Sequence, residues 1–111
     1  MDIQTSKQGQ AAVVKPHGRM DAATAPLFEQ ACDKLIREGE KAMVLDLSAL
    51  EYISSAGLRT ILSVGKKIKS ASGKLALCSL TGMVKEVFDI SGFTTMFAVS
   101  DTVEQAVKQV V

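Results

Sequence analysis

"MVLDLSALEYISSAGLRTIL" (Met43–Leu62) carries the fold in miniature: a strand, a connection and a helix. Met43, Val44, Leu45 and Leu47 form a nearly continuous apolar run, the pattern of a central strand covered on both faces. Asp46 interrupts the run and is expected at the strand end, accepting loop N–H bonds. Further on, Leu58, Ile61, Leu62, Gly65 and Ile68 fall on one side of a helical projection. Arg59, Thr60, Ser63, Lys66, Lys67 and Lys69 fall on the other, so a helix is predicted to about Ser70. Between strand and helix stand Ser54 and Ser55. Serine is a poor residue for the interior of either element. It suits a helix start, where a hydroxyl accepts from free N–H groups and the helix dipole favours negative charge. Either these serines only cap the helix, or one hydroxyl is displayed for something else to act on.

The same reading extends in both directions. "IQTSKQGQAAVVKPHG" predicts two strands joined at Gln8–Gln10, with Pro16 and Gly18 ending the second. "MDAATAPLFEQACDKLIREG" predicts a helix with Thr24 as N-cap and Gly39 at its end. Beyond the quoted stretch, "GKLALCSL" is a strand after a turn at Ser72–Gly73, and "TGMVKEVFDISGF" a short helix ended by Gly92. "MFAVS" is a last strand, and "DTVEQAVKQVV" a last helix capped by Asp101 or Thr102. Residues 1–111 therefore read as one α/β domain in the order β-β-α-β-α-β-α-β-α. The sheet is mixed and mostly parallel, flanked by about four α-helices.

Composition narrows the function classes. A net charge of +1 gives no reason to expect a nucleic-acid partner. No apolar run reaches the roughly 20 residues of a membrane span, and "MDIQTSKQGQ" lacks a signal-peptide core, so no membrane insertion and a cytoplasmic location are expected. Cys32 and Cys78 lie among apolar neighbours outside any CxxC pair and read as buried thiols. His17 is the only histidine, so neither a metal site nor a cofactor is expected. A serine hydrolase would need G-x-S-x-G and a base. "ISSAG" lacks the first glycine, and the sole histidine follows Pro16. Met20, Met43, Met83 and Met96 read as core filler. Phe93 reads as an exposed contact or as a plug over the last helix. From Tyr52 to Val84 there is no acidic residue, while Arg59, Lys66, Lys67, Lys69 and Lys74 lie in that span. This is a solvated helix face or a guide for an acidic partner. Gly57 either admits a partner's backbone beside the serines or packs the helix closely on the sheet.

Taken together, "GRMDAATAP", "MVLDLSALEYISSAGLRTIL" and "KLALCSLTGMVKEVFDISGF" resemble the STAS family, specifically bacterial anti-sigma-factor antagonists, over essentially the whole chain. The resemblance implies a binding protein rather than an enzyme. Its partner would be an anti-sigma factor with serine kinase activity, and a PP2C-type phosphatase would reverse the modification. The family's phosphorylated serine falls on Ser55, with Ser54 as the neighbouring candidate. Ser54 stands where the family usually has aspartate, and Ala56 where it commonly has Ser or Thr. The motif's glycine and leucine fall on Gly57 and Leu58, followed by Arg59. The "G-x-x-D" loop implied in partner contact is Gly18 to Asp21. A monomer is expected. The alternative is a non-switching STAS scaffold or a subunit of a stress-signalling or membrane transport assembly, in which the serines are only a cap.

Overall fold

The computed structural model describes residues 1–111 and contains a six-stranded mixed sheet and five helices. β1 (Asp2–Gln8) and β2 (Ala11–Met20) form the expected antiparallel hairpin. α1 (Ala25–Arg37), β3 (Ala42–Asp46), β4 (Leu50–Ile53), α2 (Ser55–Ser70) and β5 (Lys74–Cys78) follow. The chain ends with α3 (Gly82–Ser91), α4 (Phe93–Met96), β6 (Ala98–Ser100) and α5 (Val103–Val110). The sheet order is β1-β2-β3-β5-β6, parallel from β2 onward, and β4 pairs with β2.

The period of two along each strand divides the interior into two cores. Ala12, Val14, Met43, Leu45 and Leu77 face α1, α2 and α3, where Phe28 and Phe88 are fully buried. Burial of each phenylalanine stabilises the fold by about 1.5–3 kcal/mol. Ala11, Val13, Ala42, Val44, Ala76 and Cys78 face α5 and meet Ala106 and Val110. Small side chains on this second face suit a single short helix lying close to the sheet. Both cysteines are buried and free, and burial raises their thiols to about 12 at Cys32 and about 11 at Cys78.

Several expectations need correction. β2 does not stop at Pro16 and Gly18; it continues to Met20. Its ladder with β3 ends at Val14 and its ladder with β4 begins at Gly18, so Pro16 falls in the gap between them. That tolerates a residue with no N–H. β4 is an additional strand, and α4 makes the helix count five rather than four. The last strand is only Ala98–Ser100, because Phe93–Met96 turns into a one-turn helix. Gly92, at φ +81°, closes α3 in the left-handed conformation that glycine adopts freely. Met20 and Met43 are core residues, but Met83 and Met96 are 44% and 56% exposed. Phe93 packs edge-on to Phe88 and beside Phe97 on the three-helix side, away from α5.

Side chains cap the starts of α2 and α5. Thr102 Oγ1 accepts the Gln105 N–H at α5. At α1, Thr24 holds the N-cap position without capping through its side chain. Asp21 instead shapes the turn that leads into α1, its Oδ1 accepting the N–H groups of Ala23 and Thr24 at 3.0 and 3.1 Å. Asp46 closes β3 as expected, accepting the Ser48 N–H. Across the α1–α2 contact, Lys67 pairs with Glu29 at 2.9 Å and with Asp33 at 3.0 Å. One of the lysines read as free is therefore neutralised by the preceding helix. The Lys67 bond holds the Glu29 carboxyl below its ordinary value.

Candidate functional site at the start of helix α2

The short strand β4 delivers the chain to the serines and hydrogen bonds secure them there. The Ser54 N–H donates to the Met20 carbonyl at 2.9 Å, tying the start of α2 to the end of β2. Ser54 is extended (φ −92°, ψ 175°), and its Oγ accepts the Gly57 N–H at 3.3 Å. This is an N-cap, and it ties that hydroxyl to the first turn of the helix. Ser55 follows as the first helical residue. Its side chain is exposed and its hydroxyl has no partner within the chain. The N–H groups of Ser55 and Ala56 have no acceptor either, as expected for the first turn of a helix. No acidic residue occupies that turn. The two adjacent serines thus differ sharply: one is committed to the fold, the other is presented to solvent.

Ser54's backbone bond to Met20 draws the end of β2 into the same region. Gly18 (φ +92°) sits at a register shift where β2 passes from β3 to β4, and its N–H donates to the Ala49 carbonyl. Arg19 is paired with Tyr52 across the two strands, and its guanidinium lies 4.1 Å from the ring centroid, within cation–π range. The stack of Tyr52 on Arg19 follows from the β2–β4 register. Asp21 is partly exposed. The Thr24 backbone N–H foremost, then those of Ala23, hold its carboxyl below the ordinary 3.8. It is an anion that shapes the loop before α1, in addition to any contact it makes.

The residues after Ser55 divide by direction. Ala56 and Arg59 reach a groove of about 450 Å³ between α1 and α2, lined also by Ala22, Ala25, Pro26 and Glu29. Arg59 is exposed, four residues beyond Ser55, and so shares its side of the helix. Gly57 turns inward and is buried, which fits the second of its two readings, close packing of the helix on the sheet. A Cβ there would lie 2.7 Å from Ile53 Cγ1 and 2.9 Å from the Met20 carbonyl oxygen. Its task is close packing of α2 against β2 and β4. Leu58 is half-buried against the main core and offers only an edge to solvent. His17 carries a buried Nε2 with no hydrogen-bond partner, so it does not engage either serine. No group of three or more His, Cys, Asp or Glu side chains is placed to hold a metal ion.

Comparison with known proteins converges on one family. The pattern of the STAS domain matches residues 2–106. BtrV of Bordetella bronchiseptica, assigned as an anti-sigma factor antagonist, is 44% identical over 89 residues, covering 80% of this chain and 77% of that protein. Among solved structures, TM1081 of Thermotoga maritima superposes with a TM-score of 0.89 at 25% identity, covering 97% of this chain and 93% of its own. An anti-sigma factor antagonist from Mycobacterium paratuberculosis superposes with a TM-score of 0.88 at 25% identity, covering 98% and 92%. With the family pattern spanning nearly the whole chain and the same architecture recurring in these relatives, the chain belongs to the STAS domain family.

Proposed function

We propose that this chain is an anti-sigma-factor antagonist, switched by phosphorylation of Ser55. The observation that carries the reading is the division of labour between the two serines. Ser54 Oγ caps α2, whereas Ser55 Oγ stands exposed and unpartnered at the helix start. Relatives named as anti-sigma factor antagonists supply the class of partner.

In the unmodified state, Ser55, Ala56 and Arg59, together with the end of β2 from Gly18 and the following Asp21, form the docking face. A small neutral hydroxyl at its centre allows close packing against the anti-sigma factor, which then releases its sigma factor. The anti-sigma factor's serine kinase transfers the γ-phosphoryl group of ATP to Ser55 Oγ, with loss of the hydroxyl proton and release of ADP. The product carries close to two negative charges. Those charges must be desolvated on docking and repel acidic groups of the partner, so the complex dissociates. A PP2C-type phosphatase hydrolyses the phosphoester and restores the hydroxyl. The chain itself performs no catalysis in this scheme, acts as a monomer in the cytoplasm, and needs no cofactor.

Antagonism is tested by gel filtration with the host's anti-sigma factor already bound to its sigma factor. Adding the unmodified chain is expected to free the sigma factor and shift the anti-sigma factor into a complex with the chain. A sigma factor that stays bound at saturating chain contradicts the proposal.

A further inference from the structure

The far end of α2 carries a second, unrelated feature. A groove of about 400 Å³ opens between the last turns of α2, the start of β5 and the α4–β6 segment. Ile68 and Leu75 contribute to its apolar lining, with Leu62, Met96 and Phe97 beside them. Phe97 is held against α2 because Gly65 has no side chain; a Cβ there would lie 2.8 Å from the ring. Met96, at the rim, is 56% exposed. Three cations, Lys66, Lys69 and Lys74, line the same groove, and no acidic residue does. The contrast with their neighbour is informative. Lys67 points to α1 and is paired with Glu29 and Asp33, whereas none of the three groove lysines forms an ion pair. Three unpaired, exposed ammonium groups thus ring a small apolar hollow, the combination of an apolar wall and convergent charge that suits an amphipathic anion.

We propose that this groove is a binding site for a small amphipathic organic anion: an apolar body lying on Leu62, Leu75, Met96 and Phe97, and a carboxylate held by Lys66, Lys69 and Lys74. A purely apolar ligand would leave the three ammonium groups unanswered, and a compact inorganic anion would leave the apolar wall wet. The site lies roughly 15–20 Å along the helix from Ser55 at 1.5 Å per residue, and shares no residue with the groove near Ser55. It therefore stands or falls separately from the phosphorylation switch.

Octanoate, used below its micellar concentration, is the probe, with octanol as its uncharged counterpart. In two-dimensional amide NMR of the intact chain, octanoate is expected to shift the resonances of Gly65, Lys69, Leu75 and Phe97 saturably. Octanol should bind at least tenfold more weakly. The triple variant Lys66→Gln, Lys69→Gln, Lys74→Gln changes only exposed side chains and should melt near the parent, yet lose at least tenfold in octanoate affinity. Equal binding of octanol, or unchanged affinity in the triple variant, overturns the proposal. So does non-saturating shift spread over Leu27, Met83 and Ile90, three of the apolar residues exposed elsewhere, or no shift at all.

Discussion

Ser55→Asp is expected to weaken binding to the anti-sigma factor by a few hundredfold, about 3–4 kcal/mol, while leaving the fold standing. The reasoning begins with position. Ser55 is the first residue of α2, exposed, and free of intrachain hydrogen bonds. A carboxylate introduced there displaces nothing and meets the positive end of the helix dipole, which contributes about 0.3–1 kcal/mol of stability. Ser54, the true cap, is untouched. Thermal unfolding should therefore be unchanged or slightly raised, and loss of binding cannot be ascribed to loss of structure. At the interface the sign reverses: the charge must shed water to dock, and it finds no cation waiting if the partner is built for a hydroxyl. Ser55→Ala removes the hydroxyl without adding charge and should bind within about threefold of the parent, roughly 0.7 kcal/mol. Isothermal titration of the three proteins checks both statements. Were Ser55→Asp to bind as the parent does, the serines would be a helix cap and the chain a non-switching member of its family.

The second large effect is structural. Gly57→Ala should destabilise the chain by about 2 kcal/mol. Overpacking costs about 1–3 kcal/mol, and this site belongs at the upper end, since one obstacle, the Met20 carbonyl 2.9 Å from the new Cβ, is backbone. Against that, alanine gains about 1 kcal/mol over glycine in helix propensity. The matched control is Gly65→Ala on the same helix, with the same propensity gain. Its nearest obstacle is the Phe97 ring at 2.8 Å, a side chain that can swing outward. Gly65→Ala should cost clearly less. Chemical denaturation of the pair measures the difference, and a Gly57→Ala variant at least as stable as Gly65→Ala would contradict the packing account. Because the Gly57 N–H is the group capped by Ser54, the same variant should also loosen the helix start that presents Ser55.

Much of this arrangement is legible in the sequence alone. The all-buried β3, the Gly92 stop and the helix from the serines to Ser70 follow from local patterns, and each element is where that pattern puts it. The errors around β2 and β4 share one root. Pro16 reads as the end of a strand, yet β2 runs past it to Met20, and this continuation gives Leu50–Ile53 a partner. A four-residue strand has little pattern of its own; it exists because of a distant ladder that the proline hides. The Arg19–Tyr52 stack is invisible in the sequence for the same reason. The Lys67 pairing was equally invisible, being set by how α1 lies on α2. The site itself was legible only in part. Sequence placed two hydroxyls at a helix start, but which one caps and which one is free depends on rotamer and backbone angle. The direction of Gly57 likewise depends on how closely the helix approaches β2 and β4.

One measurement goes directly to the central claim. The chain is incubated with the host's anti-sigma-factor kinase and ATP, and its peptides are mapped by mass spectrometry. The expected product is a single phosphate on Ser55, absent from Ser55→Ala. A phosphate on Ser54 instead, or none on either serine while the kinase forms a complex with the chain, would contradict it.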